Sequence, residues 1–127
     1  MTTDKRYEFE VTVDAAFVID QTEGDQHRYV FSYTIKIANV GTVPAQLISR
    51  HWIITDSSNE VQEVRGLGVV GEQPLLKPGE QFQYTSGAVL NTPDGFMEGT
   101  YHITAEDGTQ FDVKIPRLVL SMPRVIH

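Results

Sequence analysis

Between Tyr29 and Ile37 every odd-numbered residue is large and apolar (Tyr29, Phe31, Tyr33, Ile35, Ile37), while the even ones are mostly small or polar. A period of two puts all five on one side of a pleated strand, so a second layer is needed to cover them. The alternation recurs in Tyr7, Phe9, Val11 and Val13, in Phe82 and Tyr84, in Tyr101, Ile103 and Ala105, and in Phe111, Val113 and Ile115. From Gln46 to Thr55 apolar residues fall on both sides, Leu47 and Ile53 against Ile48, Trp52 and Ile54. That pattern reads as a central strand packed on two faces.

Turn chemistry separates these runs. Asn39, Gly41 and Pro44 break the strongest one, and Asp56-Ser57-Ser58-Asn59 leads into Glu60–Val64 as the return arm of a hairpin. Lys77-Pro78-Gly79-Glu80 has the proline and glycine order of a type II turn, and Asp107-Gly108 marks another hairpin. No window combines helical apolar spacing with caps. The expected fold class is all-β, an antiparallel sandwich of seven or more strands, with an up-and-down barrel as the competitor. At 127 residues without linker or repeat, residues 1–127 are expected to form one domain.

Charge and composition remove several functions. Ten Lys+Arg against seventeen Asp+Glu give a net charge of −7, the wrong sign for a general grip on nucleic acid. Without cysteine, thiolate nucleophiles, disulfides and Cys-type zinc sites are excluded. Met1–Arg6 is polar with no apolar stretch behind it, and Arg124–His127 carries no lipidation motif. A cytoplasmic protein with no membrane insertion is expected.

Gly66-Leu67-Gly68-Val69-Val70-Gly71 has the glycine spacing of a dinucleotide loop. Glu72-Gln73-Pro74 and then Pro78 follow it, so no helix begins there to supply a dipole. The residues read as a mobile or bulged loop; a backbone nest for an anion, helped by Arg65, is the other reading. His27, His51, His102 and His127 have no metal-ligand spacing, and the acidic turn Asp20–Asp25 lacks the ligand positions of a calcium loop. Ser86 in Tyr84-Thr85-Ser86-Gly87 lacks the glycine of a nucleophile elbow. Glu60 and Glu63 read as surface charge in an exposed hairpin. Arg50 and Trp52, two apart, share a strand face. A guanidinium over the indole, core packing, or a binding hot spot are the readings open to them. No catalytic residue, metal site or cofactor is expected.

Several of these segments, taken together and in order, resemble the bacterial ApaG family: Arg50–Ile54, Gly66–Pro74, Pro78-Gly79-Glu80, Tyr84–Gly87, Thr92–Tyr101, Ile115-Pro116 and the terminal His127. The match runs from about Tyr7 to His127, with Leu118 standing where the family usually has Phe. The resemblance implies a fibronectin type III-like or immunoglobulin-like sandwich and no established catalysis. Related domains occur in F-box proteins and in a DNA polymerase-interacting protein, where protein contact is the implied role. The family is also linked to cobalt and magnesium efflux, in which a soluble sandwich would act as accessory.

The expected function is therefore a non-enzymatic module binding a protein partner through the glycine-rich loop (Gly66, Gly68, Gly71), with Arg50, Trp52, Ser86 and Gly87 as a further partner surface. The alternative is a small-ligand sensor taking a phosphate-rich nucleotide or a divalent metal. A homodimer is compatible with either.

Overall fold

The computed structural model describes residues 4–123. Eight strands form two antiparallel sheets: β1 Phe9–Phe17, β2 Tyr29–Asn39, β3 Ala45–Asp56, β4 Val61–Leu67, β5 Leu75–Leu76, β6 Gln81–Leu90, β7 Asp94–Ala105 and β8 Gln110–Ser121. The smaller sheet has the order β1-β2-β6; the larger has β4-β3-β7-β8, with β5 also paired to β3. The sheets face each other as a sandwich and do not close into a barrel. Short 3-10 turns occupy Lys5–Tyr7, Ile19–Gln21 and Gly24–Gln26.

The period-two pattern does what its chemistry requires. Phe31, Tyr33, Ile35 and Ile37 are all buried between the layers, where they meet Trp52, Tyr101, Ile103 and Ile115 of the facing sheet. Leu118 also belongs to this core. Each such side chain contributes roughly 1.5–3 kcal/mol by leaving water. Lys77-Pro78-Gly79-Glu80 closes as its residues dictate, with Gly79 at φ 87 and the Glu80 N–H donating to the Lys77 carbonyl at 2.9 Å.

One expectation is corrected here. The two-sided apolar pattern of β3 does not mean packing on two faces. The pairing of β3 with β7 shifts between Leu47 and Ser49, so Ile48 is an extra residue in a β-bulge. Before it Ala45 and Leu47 point into the core; after it Trp52 and Ile54 do, at even positions. A bulge inverts the phase of alternation, and the sequence then looks apolar on both sides. A second bulge lies where Glu98 of β7 faces the extra residue in β8, around Pro116 and Arg117. It lets proline sit in an edge strand.

Candidate functional site

The bulge at Ile48 anchors the glycine-rich segment. Strands β4 and β5 run along the same edge of β3, and residues 68–74 connect them. The Ile48 carbonyl accepts from the Gly68 N–H at 2.8 Å and from the Gln73 side-chain amide at 2.9 Å. Val69 and Glu72 exchange both backbone hydrogen bonds at 2.8 and 2.9 Å, which closes a two-residue turn at Val70 and Gly71. Both central residues have positive φ, 44° and 82°, the geometry of a type I′ turn. The Val69 side chain is fully buried beneath it.

The segment, which the sequence reads as a mobile or bulged loop, is thus a hydrogen-bonded turn anchored on the bulge at Ile48. The same bonds bear on the anion nest: the Gly68, Val69 and Glu72 amides are committed to backbone carbonyls of the chain itself. Arg65, the side chain invoked for a nest, instead lies 3.7 Å from Glu63. Gly68 is required where it stands. Its φ is +63° and a Cβ there would come within 2.2 Å of the Glu72 carbonyl oxygen. Val70 carries the strain of the turn, since a β-branched residue resists positive φ.

Arg50 belongs to the same construction. Its Nη1 donates to the carbonyls of Leu67 at 3.1 Å and Gly68 at 2.9 Å, so the guanidinium clamps the entry to the turn. Gly66, paired with Arg50 across β3 and β4, leaves room for it. Among the described residues no guanidinium lies over the indole: the cation–π contacts there are Arg6 on Tyr7 and Arg117 on Phe96. Trp52 is only 2% exposed and packs edge-on to Tyr33 at 5.7 Å. It is a core residue, and its expected place on a partner surface is corrected.

Ser86 and Gly87 lie on β6, in the other sheet, Ser86 partly buried and Gly87 exposed. On the core side of β6, Tyr84 joins hydroxyls with Tyr101 of β7 at 2.5 Å across the layers. Burial pushes the Tyr84 phenol up to about 12, and burial raises Tyr101 further.

Among the described residues the histidines do not converge. His51 bonds Glu63 at 2.9 Å, while His102 bonds Asp112 at 2.8 Å and Gln110 at 3.1 Å. The Asp112 hydrogen bond raises the His102 pKa. His27 holds φ 54 in a turn, and His127 lies outside the described residues. Among the described residues no group of three or more metal-ligating side chains is clustered, and no helix is long and apolar enough to cross a membrane.

Sequence reasoning missed the apolar collar around the turn. Leu67 is 73% exposed, Val70 54% and Leu75 58%. Register places Leu67 opposite Ser49 and Leu75 opposite Gln46, on the outer face of the sheet at either end of the turn. The signal was legible as three apolar residues beside glycines and prolines, but their exposure follows from the pairing.

The ApaG domain family model matches residues 19–105. Over all 127 residues, and the whole of the relative, the chain is 67% identical to protein ApaG of Methylobacillus flagellatus and 59% identical to that of Thiobacillus denitrificans. A Bordetella pertussis crystal structure named for an ApaA protein superposes with a TM-score of 0.91 at 56% identity, covering 95% of this chain and 98% of that one. With a full-length match in both sequence and sandwich architecture, the chain belongs to the ApaG family.

Proposed function

We propose that this protein is a non-enzymatic interaction module whose glycine turn and its apolar collar bind a protein partner. The observation that carries the reading is Val70, a β-branched residue held at φ 44 yet 54% exposed. Strain of this kind costs about 1–3 kcal/mol and persists where the surroundings enforce it. Here the Val69–Glu72 bonds and the Arg50 clamp enforce it, and the result is an apolar side chain presented on a rigid support. Leu67 and Leu75 beside it supply further apolar surface, and such a rigid exposed patch favours association. The link to cobalt and magnesium handling that the family resemblance implies would then be exercised through that contact. The commitment of three turn amides to internal bonds argues against the small-ligand alternative at this site.

The test is affinity purification with the native chain and with Leu67→Asp and Val70→Asp, which alter exposed side chains only. One stoichiometric partner, lost with both variants while their melting curves stay normal, is expected. A partner retained by both, or none recovered under mild conditions, overturns the reading. Bulky substitution of Gly68 is unsuitable, because it would break the turn itself.

A further inference from the structure

The two layers differ in width. Across the sandwich the larger sheet is four strands wide, β4-β3-β7-β8, and the smaller is three, β1-β2-β6. Beyond β6 the inner side of β4 is therefore uncovered, and Val64, which register places beside Trp52, is 37% exposed. A cleft of about 270 Å³ opens there, with Ile54 and Gln62 on one wall and Val89 and Leu90 of β6 on the other.

The free edge of β6 is equally specific. The Asn39 N–H donates to the Glu80 carbonyl at 3.0 Å, which sets the phase of the β2–β6 ladder. Hydrogen bonds alternate along an antiparallel pair, so the even residues of β6 bond to β2. The backbone groups of Gln81, Gln83, Thr85, Gly87 and Val89 then face outward. The register runs from Tyr29↔Leu90 to Ala38↔Gln81 without a bulge. Apart from the two-residue β5, the other strands at sheet edges carry blocking charges: Glu10 and Asp14 in β1, Glu63 and Arg65 in β4, Asp112, Lys114 and Arg117 in β8. β6 has none, and no proline. Proteins ordinarily blunt an exposed edge with such residues.

We propose that β6 is a strand-addition site: an extended segment of another protein pairs with it as the fourth strand of the smaller sheet and covers the inner side of β4. This rests on the reading of the chain as an interaction module and names the form of the partner. The overhang decides against a second copy. If two β6 edges paired about a two-fold axis, each β4 would project into the layer already filled by β3 and β4 of its mate. A segment one strand wide fits.

Charge further defines the occupant. At one end of the cleft stand Asp56 and Glu60. Further along the same face of β3, beyond the cleft, is Arg50, bonded to two carbonyls and, among the described residues, within ion-pair distance of no carboxylate. Arg50 and Asp56 are six residues apart on one face of β3, about 20 Å at 3.4 Å per residue. An antiparallel partner strand would place a basic side chain near Asp56 and, six residues on, an acidic one near Arg50. Small apolar residues between them would cover Val64 and Ile54.

The probe is the acetylated, amidated peptide Thr-Lys-Thr-Val-Thr-Val-Thr-Glu-Thr, titrated into the isotopically labelled full-length protein by NMR. Saturable shifts and exchange protection are expected at the amides of Gln81, Gln83, Thr85, Gly87 and Val89, with shifts at Val64. Replacing the peptide lysine by glutamate should weaken binding about tenfold through repulsion from Asp56 and Glu60. Gln83→Pro removes an outward N–H and should abolish binding; should it not fold, Val64→Lys fills the space beneath the added strand and decides instead. Unchanged spectra at about 1 mM peptide overturn the proposal, as do equal shifts in the folded variant. A dimer formed through β6, seen by light scattering, also overturns it by assigning the edge to a second copy. None of these outcomes depends on Leu67 or Val70, so the glycine-turn reading stands or falls separately.

Discussion

The Arg50 guanidinium fills the space into which a side chain on Gly66 would grow: an added Cβ would lie 2.8 Å from its Nη1. The obstacle is the end of a flexible side chain. Gly66→Ala should therefore displace Arg50 from its carbonyls and cost about 1 kcal/mol, the worth of its hydrogen bonds. At Gly68 the obstacle is backbone and φ is positive, so alanine there should cost more than about 2 kcal/mol. Gly71 has positive φ but nothing within 4 Å, and alanine should cost about 1 kcal/mol. Urea denaturation should give the order Gly68 well above Gly66 and Gly71; equal losses at Gly66 and Gly68 would contradict the Arg50 account.

Val70→Asn places the residue type preferred at the first central position of a type I′ turn. It should stabilise the fold by about 0.5–1 kcal/mol while removing an exposed apolar contact. A rise in melting temperature together with weaker partner binding is the expected pair of results. Lower stability would show that the valine side chain supports the turn.

Tyr84 and Tyr101 each satisfy the other's buried hydroxyl. Tyr84→Phe or Tyr101→Phe alone should cost about 1–3 kcal/mol by stranding the remaining hydroxyl, and the double variant less than the sum. Both phenols are raised in the folded state. An unfolded tyrosine ionises near pH 10 and the folded ones later, so their contribution is complete below about pH 10 and declines as pH rises through the folded values. Alkaline melting curves of native and double-Phe protein should diverge below pH 10 and converge above it.

The His102 pKa is raised by its hydrogen bonds to Asp112 and Gln110. Protonation is favoured more in the folded state than in the unfolded one, so this stabilisation is full below the unfolded pKa and is lost as pH rises through the folded value. Histidine NMR titration should show His102 titrating above about 6.5. Asp112→Asn should lower its midpoint, and an unchanged midpoint would remove the pair from the pH dependence of stability.

Much of the architecture was legible in the chain because alternation is local. The odd residues of Tyr29–Ile37 must share a face, and Lys77-Pro78-Gly79-Glu80 must turn. The failures were nonlocal. One extra residue at Ile48 reverses which side of β3 faces the core, and nothing in the chemistry of Leu47, Ile48 or Ser49 announces it. The glycines read as a mobile or bulged loop because the bonds that fix their turn come from Arg50 and Ile48, elsewhere in the chain.

The residues by themselves determined an all-β chain of paired apolar faces, its turn positions, and a β6 without charge. Tertiary structure alone decided that Trp52 is core, that Val70 is held exposed, and that β6 ends one layer a strand short of the other. The physical reason is that side-chain period follows from the geometry of a single strand. Edge status, bulge phase and layer width depend on which strands hydrogen-bond together across long separations.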